Sequence, residues 1–320
     1  MIRARLLFIC MLFPGLAFAQ SHHDQTPADP LELKKLTESV YVLYGRGGNV
    51  GFFIAPDAVV VVDAEFRDLG PGVVQKIKSV SDKPIRYLIN THHHIDHAGG
   101  NEYFLPLALI IAHDNVRKRV FATPEEVRRE YPDAIKDARS KGNEQRATQL
   151  ESVLTWARNV KVEEVAAPFL TFDSEFRIYL GGEIIHVWHT PPAHTDGDSV
   201  VYFEKKKILH MGDLLFYHVF PFIDVDSGGS ARGYLKAIDQ VISRVPADVT
   251  VIPGHGQVTN LDGLKEFRKY IQDLIEAAAE AKKAGKSKEE FLKTTLPQYQ
   301  QWSKPERFQQ NAGAAFDEAQ

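Results

Sequence analysis

Four histidines and one aspartate lie close together in residues 91–100, which read Thr-His-His-His-Ile-Asp-His-Ala-Gly-Gly. The stretch directly follows an apolar run, Ile85 to Ile89, that is typical of a β-strand. In an extended segment, residues two apart point the same way, so His92 and His94 can converge on one metal ion while His93 faces elsewhere. A surface His-rich tract or a tag would not sit at a strand end. The cluster therefore predicts a metal site.

The other two polar members of the cluster, Asp96 and His97, can serve a second ion nearby. We expect the chain to turn at this point, because Gly99-Gly100 permits a tight turn. The residues thus favour a site for two ions at the carboxyl end of a strand, the edge at which α/β proteins often bind ligands.

The pattern His-x-His-x-Asp-His, His92 to His97, resembles the signature of the metallo-β-lactamase superfamily. The resemblance covers roughly Val40 to Asn260 and implies an αββα sandwich fold. It also implies one further ligand in each of three later loops, each after a β-like run: His194 in Thr190-Pro-Pro-Ala-His-Thr-Asp-Gly-Asp, Asp213 in Met211-Gly-Asp-Leu-Leu-Phe, and His255 in Pro253-Gly-His-Gly. One departure is Ala193, where many members carry Gly; it touches the loop backbone and leaves the ligand assignment intact.

By this resemblance, two zinc ions are expected. The implied ligand sets are His92, His94 and His194 for the first ion, Asp96, His97 and His255 for the second, and Asp213 between them. Such a nitrogen-rich set suits zinc, although iron or manganese stays possible. The flavodiiron branch carries Glu at the place of His94, which disfavours redox iron here.

Zinc lowers the pKa of a bound water from ~15.7 to about 7, so a hydroxide is available without a nucleophilic side chain. Asp96 is the expected catalytic residue, which would ligate and orient that hydroxide. The resemblance implies a hydrolase that opens an activated carbonyl such as a β-lactam or a lactone, with the metals stabilising the charge that develops.

Three alternatives remain. A thioester hydrolase resembling hydroxyacylglutathione hydrolases gains from the Asp213 loop, but its usual substrate is cytosolic. A phosphodiesterase or nuclease would also use two metals. A zinc-binding protein without turnover is disfavoured because the ligand set is complete.

Charge and composition bear on the partners. The 320 residues carry a formal net charge of -4, and Lys205-Lys206-Lys207 is the one basic run, so no basic groove invites nucleic acid. We expect a small-molecule substrate and one domain over residues 20–320, and the oligomeric state is left open. Two parts of that domain are expected to be helical: an insertion at about 123–160, beginning with Thr123 as N-cap and Pro124 as first helical residue, and a tail at about 261–320.

The N-terminus predicts export. Arg3 and Arg5 precede an apolar run, Leu6 to Phe18, and Ala19 ends a small-residue site, which is typical of a signal peptide over residues 1–19 cleaved after Ala19. The run is too short for a membrane anchor, so a periplasmic or secreted protein with no stable membrane association is expected.

Cys10, the only cysteine, would leave with the signal peptide. The mature chain would then have no disulfide, no Cys nucleophile and no Cys ligand. β-Lactamases that use a Cys ligand would need it where Asp213 stands.

Several polar residues outside the ligand set are expected to have roles other than binding metal. Asp63 is expected to be structural and His113 to be a polar strand end. His189 is a candidate for a residue that contacts a metal ligand without binding the metal itself. The stretch Asp224 to Ser230 is expected to form turns, with Ser230 as a helix cap.

Overall fold

The computed structural model describes residues 31–319. The predicted signal peptide, its cleavage after Ala19 and Cys10 lie outside the described residues.

A first sheet contains seven strands in chain order, antiparallel from the first to the fourth and parallel from there on. Its strands are β1 (Glu32–Lys35), β2 (Val40–Tyr44), β3 (Val50–Ile54), β4 (Val59–Val62), β5 (Ile85–Ile89), β6 (Leu109–His113) and β7 (Leu170–Phe172). β4 is four valines, all buried, which agrees with the strand buried on both faces that its β-branched run predicts.

A second sheet contains six strands in the order β13-β12-β11-β10-β9-β8. Its strands are β8 (Glu175–Leu180), β9 (Glu183–His189), β10 (Ser199–Phe203), β11 (Ile208–His210), β12 (Thr250–Ile252) and β13 (Thr259–Asn260). Within it β11 and β12 run parallel, and the other neighbours are antiparallel.

Eight α-helices accompany the sheets within residues 31–319. They are α1 (Gly70–Lys78), α2 (Ile95–Ala98), α3 (Asp114–Ser140), α4 (Glu144–Asn159), α5 (Ala231–Arg244), α6 (Leu261–Lys283), α7 (Lys288–Phe291) and α8 (Phe308–Glu318). In the part of the chain described here, no helix has the length and apolar character needed to cross a membrane.

Three hydrophobic clusters define the layers. Between the sheets, side chains such as Val60 and Val62 of β4 meet Val187 and Val201 of the second sheet. The other face of the first sheet packs against α1, and the other face of the second sheet packs against α5, α6 and α8. The chain thus forms an αββα sandwich, as expected.

The helical insertion begins earlier than predicted. Helix α3 begins at Asp114, its N-cap is His113, whose ring nitrogen accepts from the Asn115 N–H at 3.3 Å, and Pro124 lies inside the helix. The prediction of Thr123 as N-cap was wrong because the helix begins directly after the end of β6. The residues around Thr123 match a capping pattern, but that pattern gives no information on where the preceding strand ends. The prediction of His113 as a polar strand end is confirmed.

The C-terminal residues dock onto the second sheet's helices. Trp302 and Phe308 are both buried in the cluster that also contains Phe267 and Ile271 of α6. Ser230 caps α5 as expected, with its side chain accepting from the Gly233 N–H.

Candidate metal centre

The seven predicted ligands meet at one edge of the sandwich. Ligand atoms of His92, His94, His194 and Asp213 lie within 4.8 Å of one another, and those of Asp96, His97 and His255 form a second such group. We call these the first and second groups. Each comes from loops that follow strands, since the 92–97 stretch follows β5, Asp213 follows β11 and His255 follows β12.

The carboxylate of Asp213 contacts both groups. Its Oδ1 lies 3.1 Å from His97 Nε2, and its Oδ2 lies 3.4 Å from His194 Nε2 and 3.4 Å from His255 Nε2. Asp213 therefore lies between the first and second groups.

The short helix α2 carries Asp96 and His97, so the chain does turn here. Gly99 and Gly100, however, are needed for a different reason from the one expected. Gly99 is helical, and a Cβ on Gly100 would lie 2.1 Å from the Ala64 carbonyl oxygen. The glycines allow close approach of two backbones.

Asp63, expected to be structural, holds the ligand cluster directly. Its Oδ2 accepts from His97 Nδ1 at 2.8 Å, and its two oxygens accept from the Thr91 N–H and hydroxyl, both at 2.8 Å. Because the Thr91 hydroxyl donates to Asp63, its oxygen accepts from His92 Nδ1 at 3.1 Å. These contacts direct Nε2 of both histidines toward the site, and they place the proton of neutral His92 on Nδ1, away from it.

Two residues that the sequence did not single out orient the remaining ligands of the first group. Asp224 Oδ2 accepts from His94 Nε2 at 2.8 Å, and the carbonyl of Phe222 accepts from His194 Nδ1 at 2.5 Å. Asp63 directly follows a strand, and that position was the only local sequence feature that could have indicated a contact with the ligands. Asp224 and Phe222 have no such feature.

The buried polar atoms fit a cation. His92 Nε2 is buried without a hydrogen-bond partner, which is costly unless an ion is bound. In addition, His194 Nε2 and His94 Nδ1, both without a proton in the tautomers described above, face each other at 2.8 Å. Two such lone pairs repel, so a shared cation would stabilise this arrangement.

Residues 43–255 match the sequence profile of the metallo-beta-lactamase superfamily. The chain belongs to the metallo-β-lactamase superfamily. It is 33% identical to an uncharacterized protein of Aquifex aeolicus (strain VF5) over 98 residues, which are 31% of this chain and 46% of that protein. It is also 33% identical to an uncharacterized protein of Mycobacterium tuberculosis (strain H37Rv) over 104 residues, 31% of this chain and 45% of that protein. The chain thus spans under half the length of these curated relatives.

Solved structures of metallo-β-lactamases share the fold. A metallo-beta-lactamase from Pontibacter korlensis has a TM-score of 0.56 and 18% identity, covering 76% of this chain and 99% of that one. TMB-1 has a TM-score of 0.55 and 17% identity, covering 78% of this chain and 99% of that one.

The two groups of this metallo-β-lactamase-fold site differ in electrostatics. Burial, with the charge of His94, lowers the pKa of His194 to about 3. Burial also lowers the pKa of His255, but the carboxylates of Asp213 and Asp96 outweigh it and raise that pKa to about 9. The pKa of His97 is likewise raised, with Asp213 outweighing burial. In the first group His194 is therefore neutral at pH 7, whereas His97 and His255 of the second group are ion-paired with carboxylates.

His93 lies in neither group, in agreement with the expectation that it faces elsewhere. It is buried, its Nε2 lies 3.4 Å from Ser227 Oγ, and it adjoins His94 and Asp224 in a third cluster of potential ligand atoms. That cluster shares His94, whose Nε2 is already held by Asp224.

His189 stacks on His113 at 3.7 Å and donates from Nδ1 to the Asp198 carbonyl.

The glycine-rich connection between β2 and β3 covers the second group. A Cβ on Gly48 would lie 2.1 Å from the His97 ring, and the Gly48 N–H donates to the Asp96 carbonyl at 3.1 Å. The buried carboxylate of Glu65 holds this connection by accepting from the Gly47 N–H at 2.7 Å. These glycines are needed for close approach to the ligands.

Proposed function

We propose that this protein is a zinc-dependent hydrolase that opens activated carbonyl substrates such as β-lactams or lactones. The observation that carries the proposal is the convergence of two ligand groups on the Asp213 carboxylate, which lies 3.1 to 3.8 Å from histidine nitrogens of both. Such a pair of sites is the arrangement used for metal-assisted hydrolysis.

Zinc fits the donor set, which holds five imidazoles and two carboxylates; the only cysteine of the chain, Cys10, lies far from it in sequence. His92, His94 and His194 would hold one ion, Asp96, His97 and His255 the other, and Asp213 would lie between them. Two bound zinc ions would supply Lewis acidity and make a water-derived nucleophile available near neutral pH.

The protein's own side chains would orient the reactants. Asp96 Oδ2 lies 3.3 Å from His255 Nε2, and the Asp96 side chain is 21% exposed, so it borders both the ligands and solvent. Asp96 would accept a hydrogen bond from an incoming water and so orient it. Asp213, only 4% exposed, would hold the two groups at a fixed separation.

The surroundings favour a carbonyl substrate over a phosphodiester. The partly exposed side chains of Asp224 and Phe222 border His94, Asp224 by a contact with the ring nitrogen and Phe222 at a ring distance of 5.8 Å. Carboxylates repel a phosphodiester, while aromatic rings suit a compact apolar ligand. The structural neighbours, named as metallo-β-lactamases, are consistent with this class.

A thioester is the second candidate substrate. It is favoured by a carboxylate, Asp213, at the position between the groups, where hydroxyacylglutathione hydrolases are expected to have one by the resemblance noted above. Export would count against it. The signal-peptide pattern of residues 1–19 supports a periplasmic or secreted protein that acts on small molecules and binds no nucleic acid.

A substrate panel tests the proposal. The purified protein, loaded with zinc, is assayed with a β-lactam, a lactone, a thioester and a bis-phosphodiester, with Asp96→Asn as the inactive control and a chelator to remove metal. We expect the β-lactam or lactone to be hydrolysed fastest. Fastest turnover of the thioester would select the second candidate, and fastest turnover of the phosphodiester would reject both.

A further inference from the structure

The segment 218–224 links the first group to the C-terminal helix. It supplies the Phe222 carbonyl, which accepts from His194 Nδ1 at 2.5 Å, and the Asp224 carboxylate, which accepts from His94 Nε2 at 2.8 Å. Each contact places the proton on the far side of an imidazole and leaves its other nitrogen directed at the site. Whatever fixes this segment therefore fixes how two ligands face the metal.

Asn311 of α8 fixes it. The side chain is fully buried, and both ends of its carboxamide are used: Nδ2 donates to the Pro221 carbonyl at 2.8 Å, and Oδ1 accepts from the Ile223 N–H at 3.3 Å. These partners flank Phe222 on either side, so one planar group spans the residue that contacts His194.

The Ile223 N–H and the Phe222 carbonyl belong to the same peptide unit. Asn311, that peptide and His194 consequently form one continuous chain of hydrogen bonds that ends at Nδ1 of His194, the nitrogen opposite the one that faces the site. Hydrogen bonds in such a buried chain polarise and strengthen one another. Without the Asn311 acceptor, the Ile223 N–H is left without this partner, and rotation of the peptide that restores hydrogen bonding would turn the Phe222 carbonyl away from His194.

We propose that Asn311 is a positioning residue for the first group, acting through the Phe222 peptide on His194. This inference rests on the proposed metal-binding role of His194. Helix α8 lies outside residues 43–255, the part that matches the superfamily profile, so a segment outside that match completes the metal centre.

The test compares Asn311→Leu with Phe316→Leu. Phe316 is a buried residue of the same helix that packs on Phe291 at a ring distance of 5.5 Å and serves as a matched control for loss of packing. The first readout is the imidazole Nδ1–H resonance of His194 in the metal-free protein, and the second is zinc affinity, measured by competition with a chelating dye. We expect Asn311→Leu to shift the resonance upfield and to weaken binding at the first group by about tenfold, the lower end for outer contacts of a metal site. Phe316→Leu should change neither.

Loss of thermal stability in Asn311→Leu, with an unchanged His194 resonance and unchanged zinc affinity, would reduce Asn311 to a packing role and overturn the inference. If the leucine variant does not fold, Asn311→Asp replaces it; this variant keeps an acceptor for the Ile223 N–H and loses the donor to Pro221, so a smaller shift is expected, and wild-type values in both readouts would again overturn the inference. The resonance is read without metal. A shift in a protein that binds no zinc would therefore uphold the positioning of His194 while rejecting the proposed function.

Discussion

The first and second groups contain similar donors but are held in opposite ways. Burial keeps His92 and His194 of the first group neutral, and the histidines of this group are oriented by the Thr91 hydroxyl, the Phe222 carbonyl and the Asp224 carboxylate. In the second group the carboxylates of Asp213, Asp96 and Asp63 surround His97 and outweigh its burial. Two histidines of the first group thus carry unprotonated nitrogens, whereas His97 and His255 of the second group are protonated and paired with carboxylates. The difference shows that two groups of potential metal ligands at one site can have opposite protonation states before an ion binds.

The largest effect is expected where the two groups meet. Asp213→Ala should lower the zinc content from about two ions per chain to roughly one and reduce turnover at least about 100-fold, because the carboxylate common to both groups is lost. Metal analysis after dialysis and a rate assay measure it. His93→Ala is the control, because His93 lies outside both groups, and it should keep both ions. Equal loss of metal in His93→Ala and His94→Ala would show that the ligand register through residues 92–97 is wrong.

Substitutions of the carboxylates that hydrogen-bond the ligand histidines should affect zinc binding at the two groups differently. Asp63→Asn should weaken zinc binding mainly at the second group, and Asp224→Asn should weaken it at the first, each by roughly 10- to 100-fold. Asp63 bonds His97 directly and reaches His92 of the first group only through Thr91, whereas Asp224 bonds His94. Chelator competition that resolves two binding steps is the measurement. The comparison between the groups fails if both variants weaken the same step.

The pH dependence of zinc binding should also differ. Since the pKa of His255 is raised to about 9 in the metal-free protein, this residue is protonated at pH 7 and must lose its proton to bind zinc. Affinity at the second group should therefore rise with pH up to about 9. At the first group burial lowers the pKa of His194 to about 3, so this residue should release no proton when zinc binds between pH 6 and 9. Calorimetry in buffers of different ionisation enthalpy counts the protons released, and His255→Ala should abolish part of that release.

The candidate ligands could be named from the sequence: the local spacing after a strand pointed to His92, His94, Asp96 and His97, and the family resemblance added His194, Asp213 and His255. Their partners were harder. Asp63 followed a valine strand but carried no motif, and Asp224 lies 130 positions from the histidine that it orients. Asn311 acts on His194 only through the Phe222 peptide and belongs to a helix whose role the sequence left open. Such residues act through tertiary contacts between distant loops, and local periodicity does not encode those contacts. The early start of α3 was missed for a related reason, since Thr123-Pro124 is a valid cap pattern that the preceding turns of helix override.

The smallest effect on the metal centre is expected at Ala193, the departure from the family pattern. Ala193 is fully buried, its φ is not positive, and its backbone donates to Thr195 and accepts from Ser230. Glycine is therefore not required there, and Ala193→Gly removes a buried methyl and adds freedom to the unfolded chain. We expect a loss of roughly 1–2 kcal/mol in the free energy of unfolding, with zinc affinity at both groups unchanged. Denaturant unfolding of the metal-free protein measures the first, and chelator competition the second. A change in zinc affinity of more than about threefold would mean that the backbone of this loop, and not only the His194 side chain with its contacts, sets the geometry of the first group.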